Sequence, residues 1–173
     1  MRLRAYWLIT LPAMVLSACR TTAPPGVSTA GAPGTCPVTP APLPAFVPPA
    51  PYSAQPPPAY AGQFWYGTPA LWTMLGSDGS WSALPKGAEG YSQKVFWWSA
   101  GYSASEIPEP ELTVTGKRLD GEGGPLIPSR ATNASADFGE AMLVGVVLPE
   151  PGCWEITGKY QGHQLSFVVR ASP

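Results

Sequence analysis

Charge is scarce in this sequence. Of 173 residues only 12% are Asp, Glu, Lys or Arg, and their formal sum is −1. A nucleic-acid surface needs a basic stripe, so nucleic acid is excluded as a partner. Histidine is scarcer: His163 is the only one. There is no Gly-x-Ser-x-Gly turn, and a lone imidazole leaves a hydrolytic triad without support. A Cys–His nucleophile would need Cys153 beside His163, and the register derived below sets them far apart. A transition-metal site takes two or more His or Cys at useful spacing, which this chain cannot supply. The carboxylates Glu106, Glu109, Glu111, Asp120 and Glu122 follow no EF-hand spacing and read as solvated loop residues. Gly121, Gly123 and Gly124 run into Pro125 and not into a helix start, so no phosphate cradle forms. With groups for acid–base work this sparse, the sequence implies no enzyme and no cofactor. Nor is any stretch apolar for the roughly 20 residues a bilayer-spanning helix takes.

What is present begins at the N-terminus. Met1 to Arg4 is a short basic segment, and Ala5 to Ala18 is a mainly apolar run of signal-peptide length. Leu16-Ser17-Ala18-Cys19 follows, and it resembles the lipobox of bacterial lipoprotein precursors. The resemblance implies cleavage after residue 18 and lipidation of Cys19. At about 0.8 kcal/mol per buried CH₂, the acyl chains alone would hold the protein at the membrane. It also implies a cell-membrane or outer-membrane location on the exported side, because Arg20 is not the aspartate that signals inner-membrane retention. Cleavage removes Arg2 and Arg4 and leaves eight basic against eleven acidic side chains.

Prolines number 23, and 13 of them fall between residues 20 and 60. Proline lacks the N–H and fixes φ, so this stretch can neither pair in a sheet nor continue a helix. Residues 19–62 read as a disordered tether, partly polyproline II, with a reach of roughly 100 Å or less. It is a spacer, or else a ligand for a proline-reading partner. With Cys19 acylated, Cys36 and Cys153 are the remaining thiols. An oxidising compartment favours a Cys36–Cys153 disulfide, against a buried, unpaired Cys153.

From residue 63 to 173 the composition changes. Apolar and aromatic runs alternate with Gly, Pro, Asn, Asp and Ser. The runs at 64–66, 70–75, 94–98, 112–119, 141–148, 153–160 and 164–170 read as strands. Around a hundred residues with six to seven short strands predicts an all-β antiparallel sandwich of immunoglobulin-like size. The last two runs permit a register test. With Gln161-Gly162 as a two-residue loop, Trp154 faces Val169, Ile156 faces Phe167 and Gly158 faces Leu165, all on one apolar side. Glu155, Thr157, Lys159, Gln164, Ser166 and Val168 take the other, mostly polar side. Cys153 falls there too, so a bond to Cys36 would pin the tether across the outside of the sheet. A slip of one residue would swap the faces.

Pro151-Gly152-Cys153-Trp154 resembles the turn leading into a late strand of immunoglobulin-like domains in bacterial surface proteins. Leu71-Trp72-Thr73, Lys94-Val95-Phe96-Trp97-Trp98 and Gly152-Cys153-Trp154-Glu155-Ile156-Thr157-Gly158 together resemble a group of bacterial lipoproteins. That resemblance implies no activity.

Aromatic residues make up 11% of the chain, with seven Trp, seven Tyr and five Phe. Phe64-Trp65-Tyr66 and Phe96-Trp97-Trp98 are consecutive, so each run sends rings to both faces of its strand. One face is core. Rings on the other lie beneath a loop or the tether, or else stand exposed as a platform for sugar or protein, in which case Trp65, Trp97, Trp98 and Tyr102 would carry the binding. The long 120–137 connection is of a length that is often functional or mobile. The sequence therefore points to a non-enzymatic cell-envelope lipoprotein serving as a structural or protein-binding module. The alternative is a carbohydrate-binding module for wall or extracellular glycan.

Overall fold

The computed structural model describes residues 35–173. The signal segment, Cys19 and the first part of the tether lie outside the described residues. All seven apolar runs form strands: β1 (Gln63–Thr68), β2 (Leu71–Gly76), β4 (Tyr91–Trp98), β5 (Thr113–Arg118), β8 (Met142–Leu148), β9 (Gly152–Tyr160) and β10 (His163–Ala171). Three further strands bring the count among the described residues to ten instead of six or seven. These are β3 (Ser80–Trp81), β6 (Ile127–Pro128) and β7 (Thr132–Asn133). At two residues each they are too short to show any alternation.

The protein is all-β, in two sheets. One runs β1-β2-β4-β8-β6, with β7 also on β8; the other runs β3-β10-β9-β5. Pairings are antiparallel, as expected of the sandwich, except that of the two-residue β3 with β10, which is parallel. The hairpin of β9 and β10 has the register derived above: Trp154 opposite Val169, Ile156 opposite Phe167, Gly158 opposite Leu165. Gln161 and Gly162, the loop residues, both have positive φ, as a primed two-residue turn requires.

The core lies between the sheets. Trp154, Ile156, Phe167 and Val169 from one meet Val95, Trp97, Met142, Val144 and Val146 from the other. Trp97 is the centre of this contact. Its ring lies 5.7 Å from that of Phe167, and a Cβ placed on Gly158 would stand 2.5 Å from it. Glycine at 158 is what lets the indole in.

Residues 35–62 are not a free tether. They belong to the same compact unit as the sandwich. Cys36 is bonded to Cys153. The Thr39 N–H donates to the Val168 carbonyl at 2.9 Å, and the Val168 N–H donates to Thr39 Oγ1 at 2.8 Å. Val38 packs so tightly over Gly79 that a Cβ there would meet its side chain at 2.4 Å. The proline argument holds for pairing, since no residue between 35 and 62 joins a strand. It does not extend to packing: an extended chain can cover an apolar face without contributing to a ladder.

Candidate functional site: a strapped aromatic face

The outer face of the larger sheet is as aromatic as its inner face. Alternation along β1, β2 and β4 turns Trp65, Trp72 and Trp98 outward, and with Ala141 they form a second buried cluster. Phe46, Tyr52, Phe96 and Phe138 pack against it. Residues 46–60 cross this face as a strap. Tyr52 stands edge-on to three indoles at once, with centroids 6.2 Å from Trp65, 5.8 Å from Trp72 and 6.3 Å from Trp98. Phe46 stands edge-on to Trp72. From the 120–141 side, Phe138 stacks on Phe96 at 3.9 Å and meets Tyr60 of the strap at 5.4 Å.

Hydrogen bonds fix the strap and the Phe138 side of the cover as well. Trp65 Nε1 donates to the Ser53 carbonyl and Trp98 Nε1 to the Phe138 carbonyl, both at 3.1 Å. The Glu140 N–H donates to the Tyr52 hydroxyl at 3.0 Å. Burial raises the Tyr52 phenol above its ordinary pKa, and the Glu140 charge adds to this. A cavity of about 190 Å³ remains beneath the strap, lined by Pro51, Tyr52, Pro57, Tyr60 and Phe138 among others.

The four aromatic residues proposed for ligand contact are all covered. Trp65 is 3% exposed, Trp97 0%, Trp98 1% and Tyr102 5%. They do not form one site. Trp65 and Trp98 lie under the strap, Trp97 lies between the sheets, and Tyr102 packs edge-on against Tyr160. Burial raises the Tyr102 phenol, with Glu140 and Tyr160 adding. Its hydroxyl and the indole N–H groups of Trp72 and Trp97 are buried without a protein partner. Of the two arrangements the sequence left open, rings beneath a loop or the tether and rings exposed, the first is the one found for Trp65 and Trp98. Its signal was present: Phe46, Tyr52 and Tyr60 are the aromatic residues among the prolines of 35–62.

Removing the Tyr52 ring should loosen the strap without unfolding the sandwich. Tyr52→Ala is expected to red-shift tryptophan emission and to open residues 46–60 to limited proteolysis, while β-sheet circular dichroism is retained. Unchanged emission and an uncut strap would show that Tyr52 does not hold it.

The acidic residues are at the surface, several in ion pairs. Glu109 pairs with Arg130 at 2.6 Å and Glu155 with Lys117 at 3.2 Å. Arg118 joins Asp120 at 2.8 Å and also contacts Glu150. Among the described residues, no three His, Cys, Asp or Glu gather as metal ligands. His163 is exposed at the start of β10.

Burial opposes ionisation of Asp120. The Arg118 hydrogen bond, the Cys153 N–H and the Arg118 charge outweigh it and hold the carboxyl below its usual range. A carboxyl depressed in the folded state stabilises the fold above its unfolded pKa of about 3.9. That contribution disappears as pH falls through the folded value. The melting temperature should therefore drop below about pH 4, and less steeply in Asp120→Asn. Equal acid slopes for the two proteins would assign the loss to other groups.

Other hollows are open to solvent. One of about 590 Å³ lies over Gly145 and Val147 on the same sheet, with Pro85 and Ile127 at its sides. A more polar cleft of about 360 Å³ opens where β2 and β4 part beyond their two paired positions, with Ser80, Ser82, Gln93 and Lys94 in its lining. No family model, no curated protein and no solved structure matches this chain.

Proposed function

We propose that this chain is a non-enzymatic lipoprotein of the cell envelope, anchored through Cys19, whose β-sandwich serves as a structural or protein-binding module of immunoglobulin-like type. The observation that carries the module reading is the strap. The aromatic rings that would make a sugar platform are covered by the chain's own residues, and two of the three outward indole N–H groups already donate to backbone carbonyls. A glycan would reach Trp65 or Trp98 only after the strap had lifted. The anchor reading rests on Leu16-Ser17-Ala18-Cys19 and the run before it.

The test is made on the full chain expressed in bacteria. A clickable palmitate analogue should label the protein, and Cys19→Ala should abolish the label. The solubilised protein should show no saturable binding to cell-wall sacculi or to a polysaccharide panel. Saturable binding that quenches tryptophan emission would replace the module reading with the carbohydrate-binding one. Absence of label would remove the anchor.

A further inference from the structure

Two sheets have four edges, and three of these are blunted in the ways that usually prevent strand addition. Beyond β8, the larger sheet ends in β6 and β7, two residues each, with Pro128 in β6. In the smaller sheet β3 is two residues long, and beyond it Thr39 takes both the N–H and the carbonyl of Val168 while the Tyr66 hydroxyl takes the Ser166 carbonyl. Its other edge, β5, carries Lys117 and Arg118, and the Gly116 carbonyl is already taken by the Leu126 N–H.

The fourth edge is β1, and it carries none of these devices. Its sequence, Gln63-Phe64-Trp65-Tyr66-Gly67-Thr68, has no charge and no proline. Thr68 and Leu71 close a hairpin around the two-residue loop Pro69-Ala70, so Phe64, Tyr66 and Thr68 turn their backbone groups toward β2. The Ser77 N–H donating to the Gly62 carbonyl continues the same phase. Gln63, Trp65 and Gly67 therefore present N–H and C=O groups outward. Among the described residues, no turn, strap or side-chain hydrogen bond reaches them.

We propose that β1 is a self-association edge, on which a second copy of this chain adds its own β1 antiparallel. The strand is self-complementary about a two-fold axis at Trp65. In that register Gln63 lies opposite Gly67, which presents no side chain to it. Phe64 lies opposite Tyr66 of the other copy, twice over. Both rings are only half-buried in the single chain, so two aromatic cross-strand pairs would cover them further. An edge without charge imposes no like-charge repulsion on a symmetric pairing. The result is one continuous sheet through two sandwiches. This proposal stands independently of the lipid anchor and of the module's partner.

The test uses the full chain. A photo-reactive phenylalanine analogue at exposed Thr68, which would lie beside Gly62 of the other copy, should yield a covalent homodimer on illumination in cells. The same analogue at Thr113 on the β5 edge should not. Sedimentation in detergent should show a monomer–dimer equilibrium. Gln63→Pro combined with Thr68→Lys should weaken it by about tenfold or more; the proline removes one outward donor at the first position of the strand, where it is tolerated. Cys36–Cys153 formation and unchanged tryptophan emission verify that this variant folds. Homodimer adducts at Thr68 alone support the proposal. A monomer at every concentration, or adducts at Thr68 only to other proteins, overturns it, and both are read from protein with an intact edge.

Discussion

Reducing the Cys36–Cys153 bond should lower the unfolding free energy by roughly 4 to 5 kcal/mol in the loop-entropy model. The two cysteines are separated by 117 residues, so the bond closes nearly the whole described chain and removes a large share of its unfolded-state freedom. At about 2 to 4 °C per kcal/mol for a domain of this size class, the melting temperature falls by on the order of 10 to 20 °C. Melts with and without reductant, together with Cys36→Ser, measure it. Cys153 is buried while its register partner Arg170 is exposed; it is buried on a mostly polar face because Cys36 covers it. The serine variant therefore also leaves Cys153 without its cover, so its effect should equal or exceed that of reduction. A shift of only a degree or two in both experiments would mean that residues 37–62 hold their place without the covalent link.

Trp97→Ala should cost about 3 to 5 kcal/mol, the range for removing a fully buried large aromatic side chain. Trp97 is the ring through which β4 of one sheet touches β9 and β10 of the other, and the glycine beneath it cannot fill the hole. The complementary change, Gly158→Ala, forces a methyl into the indole and should cost about 1 to 3 kcal/mol through overpacking. Combining the two should be less harmful than their sum, because the added methyl enters the space the indole left. Urea unfolding of the three variants gives the cycle. Strict additivity would mean that the two sites do not share that space.

The long strands were legible because a half-buried strand must alternate, and β9 alternates from Trp154 to Tyr160 and β10 from Ser166 to Ala171. Trp154, Ile156, Phe167 and Val169 could be assigned to the core from that pattern alone. β3, β6 and β7 were not legible, since two residues carry no period; their positions come from neighbours already in place. The aromatic candidates were half legible. Consecutive Phe-Trp-Tyr and Phe-Trp-Trp require rings on both faces, and both faces do carry them. Which face meets solvent depends on residues outside the strand, Tyr52 and Phe138 among them, and local alternation has no access to those. The proline-rich segment misled for a related reason. Proline content excludes ladder pairing and so predicts what residues 35–62 are not; Phe46, Tyr52 and Tyr60, spaced among those prolines, decide what they lie on.

The position of the bond at Cys36 also fixes where a mechanical load would enter the fold. Tension arriving from residues before Cys36 passes through sulfur into β9, a strand with a neighbour on each side. Residues 37–62 lie in parallel with that covalent route and carry little of the force. The strap, held by ring contacts and a few hydrogen bonds that would peel one at a time, is shielded. Break the bond, and the same tension runs along the strap and lifts it from Trp65, Trp72 and Trp98 before any strand is pulled.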